Sequence, residues 1–202
     1  PIGLIKAFHR ILIVCPNAKL ILLGPIYHKK TMEEAKRYIK QNNLQKKVIY
    51  AGSPTSALSY YPMADAFVCP SFFEGGPLVF LEALAFNLPI ITADVGYAMQ
   101  FNNCTGILKV SPPVDISQFS GQICQLYSTP QFEKPLAEKM KKVFYNKIEP
   151  DLPTNFIKLL DKDITYQLYV DLIKNLIEKN KIPSDLYLKS WLNCLDKMKN
   201  NL

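Results

Sequence analysis

Four short apolar runs, separated by stretches with helical spacing, constrain this chain more than any other feature. They are Lys19–Leu23 (KLILL), which stops at Gly24-Pro25, Lys47–Ala51 (KVIYA), which stops at Gly52, Asp65–Cys69 (DAFVC) and Pro89–Thr92 (PIIT). Continuous apolar runs of this length read as parallel strands buried on both faces. Between them, Ile2, Ile5, Phe8 and Leu12 are spaced for one face of a helix over residues 2–14. Thr31-x-x-Glu34 matches a capping box opening a helix to about Asn43. A short helical stretch is expected at Ser56–Met63, and a helix over Pro77–Phe86 has its proline in the first turn, where a missing N–H costs nothing. Thr105–Val110 (TGILKV) reads as a fifth strand. The alternation predicts an α/β fold, a doubly wound parallel sheet of the Rossmann-like kind. Ligands of such sheets sit beyond the carboxyl ends of the strands, so the loops after Leu23, Ala51, Cys69 and Thr92 are where chemistry is expected.

With 202 residues, 49% hydrophobic and 20% charged, the chain has enough material for one full core but little for two. The texture changes near Thr129: residues 131–202 hold 13 Lys against 10 Asp+Glu and no Gly, with helical patterns broken at Pro150, Pro153 and Pro183. This predicts a domain over 1–130 followed by a helical appendix over 131–202. No apolar run approaches the roughly 20 residues of a membrane-spanning helix. Lys6, His9 and Arg10 interrupt the opening segment, which excludes a signal-peptide core there. Five scattered cysteines without a C-x-x-C pair point to free thiols in a reducing cytosol rather than to disulfides or zinc. A formal charge of +7 favours an anionic partner without choosing it.

The most informative stretch is Pro70–Asp94, PSFFEGGPLVFLEALAFNLPIITAD. A loop carrying Glu74, Gly75 and Gly76 leads into a helix at Pro77. The glycines let a ligand approach the backbone. The first-turn amides of Leu78 and Val79 have no partner inside the helix, and with the helix dipole they suit a phosphate. Glu82 lies roughly 7.5 Å along the axis from Pro77. Two carboxylates bracketing an anion site make sense if they accept from hydroxyls. A sugar nucleotide fits, with the sugar near Glu74, the diphosphate on the amides and the ribose near Glu82. Two such glutamates are ordinarily a loop carboxylate and a solvated helix residue; their flanks change the weight.

This stretch resembles the signature of family 4 of the retaining glycosyltransferases: a glutamate, glycine, a few small or apolar residues, a second glutamate, then Ala-Met/Leu-Ala and a Pro-Val-Ile-Ala strand, where this chain reads Ala83-Leu84-Ala85 and Pro89-Ile90-Ile91-Thr92. The segments LIKAFHRI, NAKLILLGP, KVIYAG, YYPMADAFVCPS and TGILKV fall in the family's order, so the resemblance covers roughly residues 2–129. It implies one half of a GT-B fold, the donor-binding domain. By position, Glu74 would contact the transferred sugar and help hold charge as the glycosidic bond breaks. Gly75 and Gly76 would line the donor, and the amides of Leu78 and Val79 would hold its diphosphate. Glu82 would accept from ribose hydroxyls. Gly24 and Pro25 match the loop bordering the nucleotide, and Gly52 and Ser53 the loop near its base. The implied activity is transfer of a hexose-type sugar, with retention, from a nucleotide-diphosphate sugar to a saccharide or lipid-linked acceptor in polysaccharide biosynthesis. No cofactor or metal is required. The expected location is cytoplasmic, with peripheral contact at the inner face of the membrane.

Departures from the pattern set further expectations. Pro77 stands where the family often has a second Gly, and Gly96-Tyr97-Ala98-Met99-Gln100 replaces a Gly-Gly-x-x-Glu loop. The family's first donor-domain strand, its two basic diphosphate-clamping residues and its whole N-terminal acceptor domain would lie upstream of Pro1. The chain as given is therefore expected to be an inactive part of a longer enzyme or to need a partner domain. The rival readings are a non-catalytic nucleotide-sugar-binding module and a glycoside hydrolase using Glu74 and Glu82. Asp161-Lys162-Asp163 mimics a metal motif but lacks a preceding buried strand, and His9 and His28 have no ligand partner at metal spacing. Lys139, Lys141 and Lys142 read as a solvated face, and the tail lacks the interleaved aromatics of a nucleic-acid binder.

Overall fold

Each expected strand forms, within one or two residues of its expected ends. In the computed structural model, residues 1–26, 29–54, 57–72, 78–101, 104–113, 129–146, 148 and 150 are described. The strands are β1 (Leu20–Leu23), β2 (Val48–Gly52), β3 (Phe67–Cys69), β4 (Ile90–Ala93) and β5 (Ile107–Val110). All pairings are parallel, which confirms an α/β fold of parallel sheets with helices. The strands fall into two sheets, β1–β2 and β3–β4–β5, instead of one continuous sheet. Among the described residues no strand bridges β1 and β3. β4, central in its sheet, is buried along its whole length, as its unbroken apolar run requires. Its one polar side chain, Thr92, donates its hydroxyl to the Ala93 carbonyl at 3.1 Å.

Helix α1 (Ile2–Ile11) is shorter than the expected 2–14 and buries Ile2, Ile5 and Phe8 of the expected stripe; its fourth member is Ile11 in place of Leu12, which caps the helix and is half-buried. Helix α2 (Lys29–Gln41) starts two residues before Thr31, so the capping-box expectation is corrected. Thr31 lies in the first turn, not at the half-helical position from which a hydroxyl caps an end. α2 and α3 (Leu78–Ala85) each end in an asparagine with φ of 55°, Asn43 and Asn87. Beyond those residues, Leu44 N–H donates to Ile39 and Leu88 N–H to Ala83, at 2.9 and 3.0 Å. Asparagine thus plays the left-handed part that glycine usually takes in such C-caps. The expected stretch at Ser56–Met63 forms a 3-10 turn, Leu58–Met63.

Helix α4 (Pro130–Asn146) packs on α1 and against β4 and β5. It buries Phe132, Leu136, Met140 and Val143, and Phe132 meets Phe72 edge-on with ring centroids 4.7 Å apart. The first structural unit accordingly runs from Pro1 to Asp151. The expected boundary at 130/131 falls inside it, because the change in composition there is not accompanied by a change of core. The expected helices around Leu168–Ile177 and Leu186–Leu195, together with Asp161 and Asp163, lie outside the described residues.

One polar contact locks the α1–α4 seam. Glu133, only 4% exposed, receives Arg10 Nη2 at 3.2 Å and Lys6 Nζ at 3.7 Å. Its cations are partly solvated, so removing the carboxylate leaves them less stranded than in a fully buried pair. Glu133→Ala is expected to destabilise the chain by about 1.5–3 kcal/mol, the range for hydrogen bonds to charged groups. Urea unfolding of the two chains, compared at equal m-value, checks this.

Candidate functional site

The carboxyl ends of β1 and β2 are tied together by glycine. Gly24 has φ of +120° and Gly52 of +68°, conformations that L side chains rarely adopt. Gly24 N–H donates to the Gly52 carbonyl at 2.8 Å, and the Tyr50 hydroxyl donates to the Gly24 carbonyl at 2.8 Å. The ladder slips here, pairing Leu23 with Gly52 while Leu22 still pairs with Tyr50. A Cβ at either glycine would meet no atom within 4 Å, so it is the backbone angle, not crowding, that calls for glycine. Gly24-Pro25 and Gly52-Ser53 thereby become neighbours at one end of the sheet.

A cavity of about 900 Å³ opens between β1 and β3. Its lining includes Gly24 and Pro25 beyond β1, Pro70 and Ser71 beyond β3, Val79 from the first turn of α3, and Tyr61. Among the described lining residues the one side-chain cation is Lys19, which precedes β1 and so lies at the other end of that strand from Gly24. Of the residues singled out in the sequence, Gly24, Pro25 and Val79 share this cavity. Gly52 joins through its bond to Gly24. Leu78 opens α3 and is 72% exposed. Ser53 is exposed and does not line the cavity. Glu74, Gly75, Gly76, Pro77 and His28 lie outside the described residues.

Glu82 is half-buried on α3, and its surroundings were not legible beforehand. Tyr61, from the 3-10 turn, donates its hydroxyl to Glu82 Oε2 at 2.7 Å. The phenol is 6% exposed, stacked on Phe86 at 5.4 Å and tilted against Phe67 at 5.9 Å. Burial first, and then the bond to the Glu82 carboxylate, push its pKa above the usual tyrosine value. It therefore remains a hydrogen-bond donor throughout the physiological range. Tyr61 and Tyr50 are the site residues that sequence reasoning missed. They fall inside the segments KVIYAG and YYPMADAFVCPS, but only the fold reveals what their hydroxyls reach. His9 is a helix-face residue, its Nδ1 2.9 Å from the Tyr38 hydroxyl of α2.

Parallel strands with positive-φ glycine turns and a helix opening beside them define a Rossmann-like domain, with the cavity running beside the whole of β1 and β3. The family described as glycosyl transferases group 1 matches residues 1–145, and the chain belongs to it. An uncharacterized glycosyltransferase of Methanocaldococcus jannaschii is 32% identical over 145 residues, covering 68% of this chain and 35% of that protein. A UDP-Gal:alpha-D-GlcNAc-diphosphoundecaprenol alpha-1,3-galactosyltransferase of Escherichia coli is 29% identical over 146 residues, covering 68% of this chain and 33% of that protein. The chain thus spans about a third of the length of these relatives. Among solved structures, the pneumococcal O-GlcNAc transferase GtfA in complex with UDP and GlcNAc aligns with a TM-score of 0.54 and 18% identity, over 72% of this chain and 26% of that one. Anabaena HepE in complex with UDP and glucose aligns with a TM-score of 0.54 and 19% identity, over 72% and 35%. Both share the fold.

The glycine turns give a direct test of the site's construction. Gly52→Ala is expected to cost about 1–2 kcal/mol, the penalty of the left-handed region for an L residue. Gly24→Ala, at a more extreme φ, is expected to cost at least as much, about 1–3 kcal/mol. Denaturant unfolding of each variant checks both values, and neither loss should be recovered by trimming neighbouring side chains.

Proposed function

We propose that this chain is the donor-binding part of a retaining, metal-independent glycosyltransferase using a nucleoside-diphosphate sugar. The reading is carried by Gly24 and Pro25 of the β1 turn, Val79 of the first turn of α3 and Tyr61, which line one cavity, with Tyr61 donating to Glu82 behind it. Amides of Leu78 and Val79 would meet the diphosphate, Glu82 the ribose, and Glu74, Gly75 and Gly76 the transferred hexose. As the sugar departs, charge grows on the diphosphate, and preorganised amides and the helix dipole stabilise it without a metal. The E. coli relative, named for UDP-Gal and a diphosphoundecaprenol-linked acceptor, supports a uridine nucleotide and a saccharide or lipid-linked acceptor. The UDP complexes of the structural neighbours support the same donor class. A lipid-linked acceptor would place the enzyme in the cytoplasm at the inner face of the membrane. No helix among the described residues is long and apolar enough to cross one.

The acceptor surface and the opposite wall of the cleft are proposed to come from further polypeptide, as is one more parallel strand between β1 and β3. Backbone directions support that strand. Leu20 N–H donates to Lys47 and Gly24 N–H to Gly52, so alternation turns the amides of Ile21 and Leu23 away from β2. Phe67 N–H donates to Pro89, so the Val68 amide turns away from β4. These amides belong to the two strands that flank the cavity. A strand leading into α1 would close the order β2-β1-new-β3-β4-β5, the doubly wound arrangement. In a longer chain carrying such a strand, hydrogen exchange at Ile21 and Val68 should slow together; unchanged exchange at both would remove the strand from the proposal.

Thermal unfolding with a panel of nucleoside diphosphates tests the main reading. UDP is expected to raise Tm weakly, since a ligand that binds only the folded state stabilises it by mass action. Glu82→Ala should weaken UDP binding by about 1.5–3 kcal/mol, the worth of hydrogen bonds to a charged group. Glu74→Ala should leave UDP binding nearly unchanged, because its partner is the sugar. The chain alone should transfer no sugar, lacking the surface that orients the acceptor and excludes water. Indifference to every nucleoside diphosphate, or robust transfer by the chain alone, would overturn the reading.

A further inference from the structure

The least expected feature of the site is a buried tyrosine bound to one oxygen of a carboxylate. Tyr61 contacts three places along α3, all on one face of the helix. Its hydroxyl reaches Glu82 Oε2 at 2.7 Å and lies 3.5 Å from the Val79 carbonyl, and its ring stacks on Phe86 at an interplanar angle of 12°. The phenol is gripped from the other side by Phe67 of β3. The ring contacts with Phe86 and Phe67 fix where the hydroxyl oxygen sits, 2.7 Å from Glu82 Oε2. A glutamate on a helix surface otherwise samples many rotamers, all of which must be given up when it binds a ligand. Here Oε2 is tied before any ligand arrives, and Oε1 has no protein partner among the described residues.

We infer that Tyr61 is a positioning residue that sets ribose selectivity by holding the Glu82 carboxylate in the orientation that a vicinal diol needs. The inference rests on the reading of Glu82 as the ribose acceptor and adds to it a named residue and a specificity. A carboxylate has about four lone-pair sites, and Tyr61 occupies one of them. The remaining sites can accept two hydroxyls, and with the carboxyl plane already held by Tyr61 they do so at a smaller loss of rotamer freedom. A 2′-deoxyribose offers one hydroxyl fewer and gains less from that preorganisation. Because the phenol remains protonated well above neutral pH, the restraint does not switch off in the physiological range.

The test titrates UDP and 2′-deoxy-UDP into the parent chain, Tyr61→Phe, Glu82→Ala and the double variant, with binding followed by NMR shifts. Tyr61→Phe removes one oxygen and retains the ring that contacts Phe86 and Phe67, so the fold is kept and its melting curve verifies this. The parent should prefer UDP. Tyr61→Phe should weaken UDP binding about 3- to 10-fold, the range expected for one hydrogen bond, while 2′-deoxy-UDP binding changes little. Glu82→Ala should abolish the preference, and adding Tyr61→Phe to it should change nothing more. Parent-like UDP binding by Glu82→Ala would sink the ribose reading itself. If Glu82→Ala loses the preference but Tyr61→Phe keeps it, or weakens both nucleotides equally, Tyr61 is only a packing residue and this inference is overturned.

Discussion

The two sheets are joined by packing and not by a strand ladder, and everything else in the structure depends on that join. Among the described residues β1 and β3 share no backbone hydrogen bonds, so the β1–β2 pair would be independent of β3–β4–β5 without the helices. α1 runs into β1 and lies along α4, while α4 covers β4 and β5. Ile5, Phe8, Leu20 and Val48 therefore share one core with Phe72, Ile91, Val110 and Phe132. Hydrophobic contact is undirected, whereas the Glu133 contacts to Arg10 and Lys6 fix the register of α1 on α4. Because the turn at Gly24 belongs to one sheet and α3 leads into the other, the geometry of the site is set by this seam.

The site uses backbone more than side chains. Gly24 and Gly52 adopt conformations that L side chains rarely adopt, and a Cβ at either would meet no atom within 4 Å. α3 opens nearby with amides that its own turns cannot satisfy. Such groups are fixed by the fold and need no reorganisation when an anion arrives, which is why the proposed reading gives them the leaving diphosphate. Their weakness is the lack of formal charge. With Lys19 as the one side-chain cation among the described lining residues, and at the far end of β1, strong retention of a diphosphate needs basic groups from elsewhere.

How much of this was readable in the sequence follows from what each signal encodes. Unbroken apolar runs require burial on both faces, so KLILL, KVIYA and PIIT gave strand positions, and the glycines after them marked the turns. The capping box failed because a four-residue pattern does not know that the chain has already turned helical at Lys29. Composition records the loss of glycine near Thr129, whereas Phe132 and Leu136 just beyond it pack in the same core as α1. Glu82 was found through its spacing from Glu74 within a family-like motif. Tyr61 was not, since its partner lies 21 positions away and their meeting depends on how the 3-10 turn docks on α3. Side-chain partners across elements are products of tertiary packing, and periodicity carries no record of them.

Magnitudes also say why a carboxylate belongs beside a proposed diphosphate site at all. Glu82 lies four residues into α3, about 6 Å of axial rise from its first residue. At that separation, repulsion per unit charge runs from about 0.7 kcal/mol in a water-like medium to about 2.8 kcal/mol at the effective dielectric of a protein surface. An exposed helix N-terminus returns only about 0.3–1 kcal/mol to each nearby anion. A bare diphosphate would therefore bind better without Glu82. Hydrogen bonds from hydroxyls to a carboxylate contribute about 1.5–3 kcal/mol each, so each hydroxyl presented offsets about one unit charge's repulsion. The balance turns on the number of hydroxyls presented. A carboxylate already held by Tyr61 accepts them at a smaller loss of rotamer freedom, and for that reason the tyrosine and the glutamate are best understood as one unit.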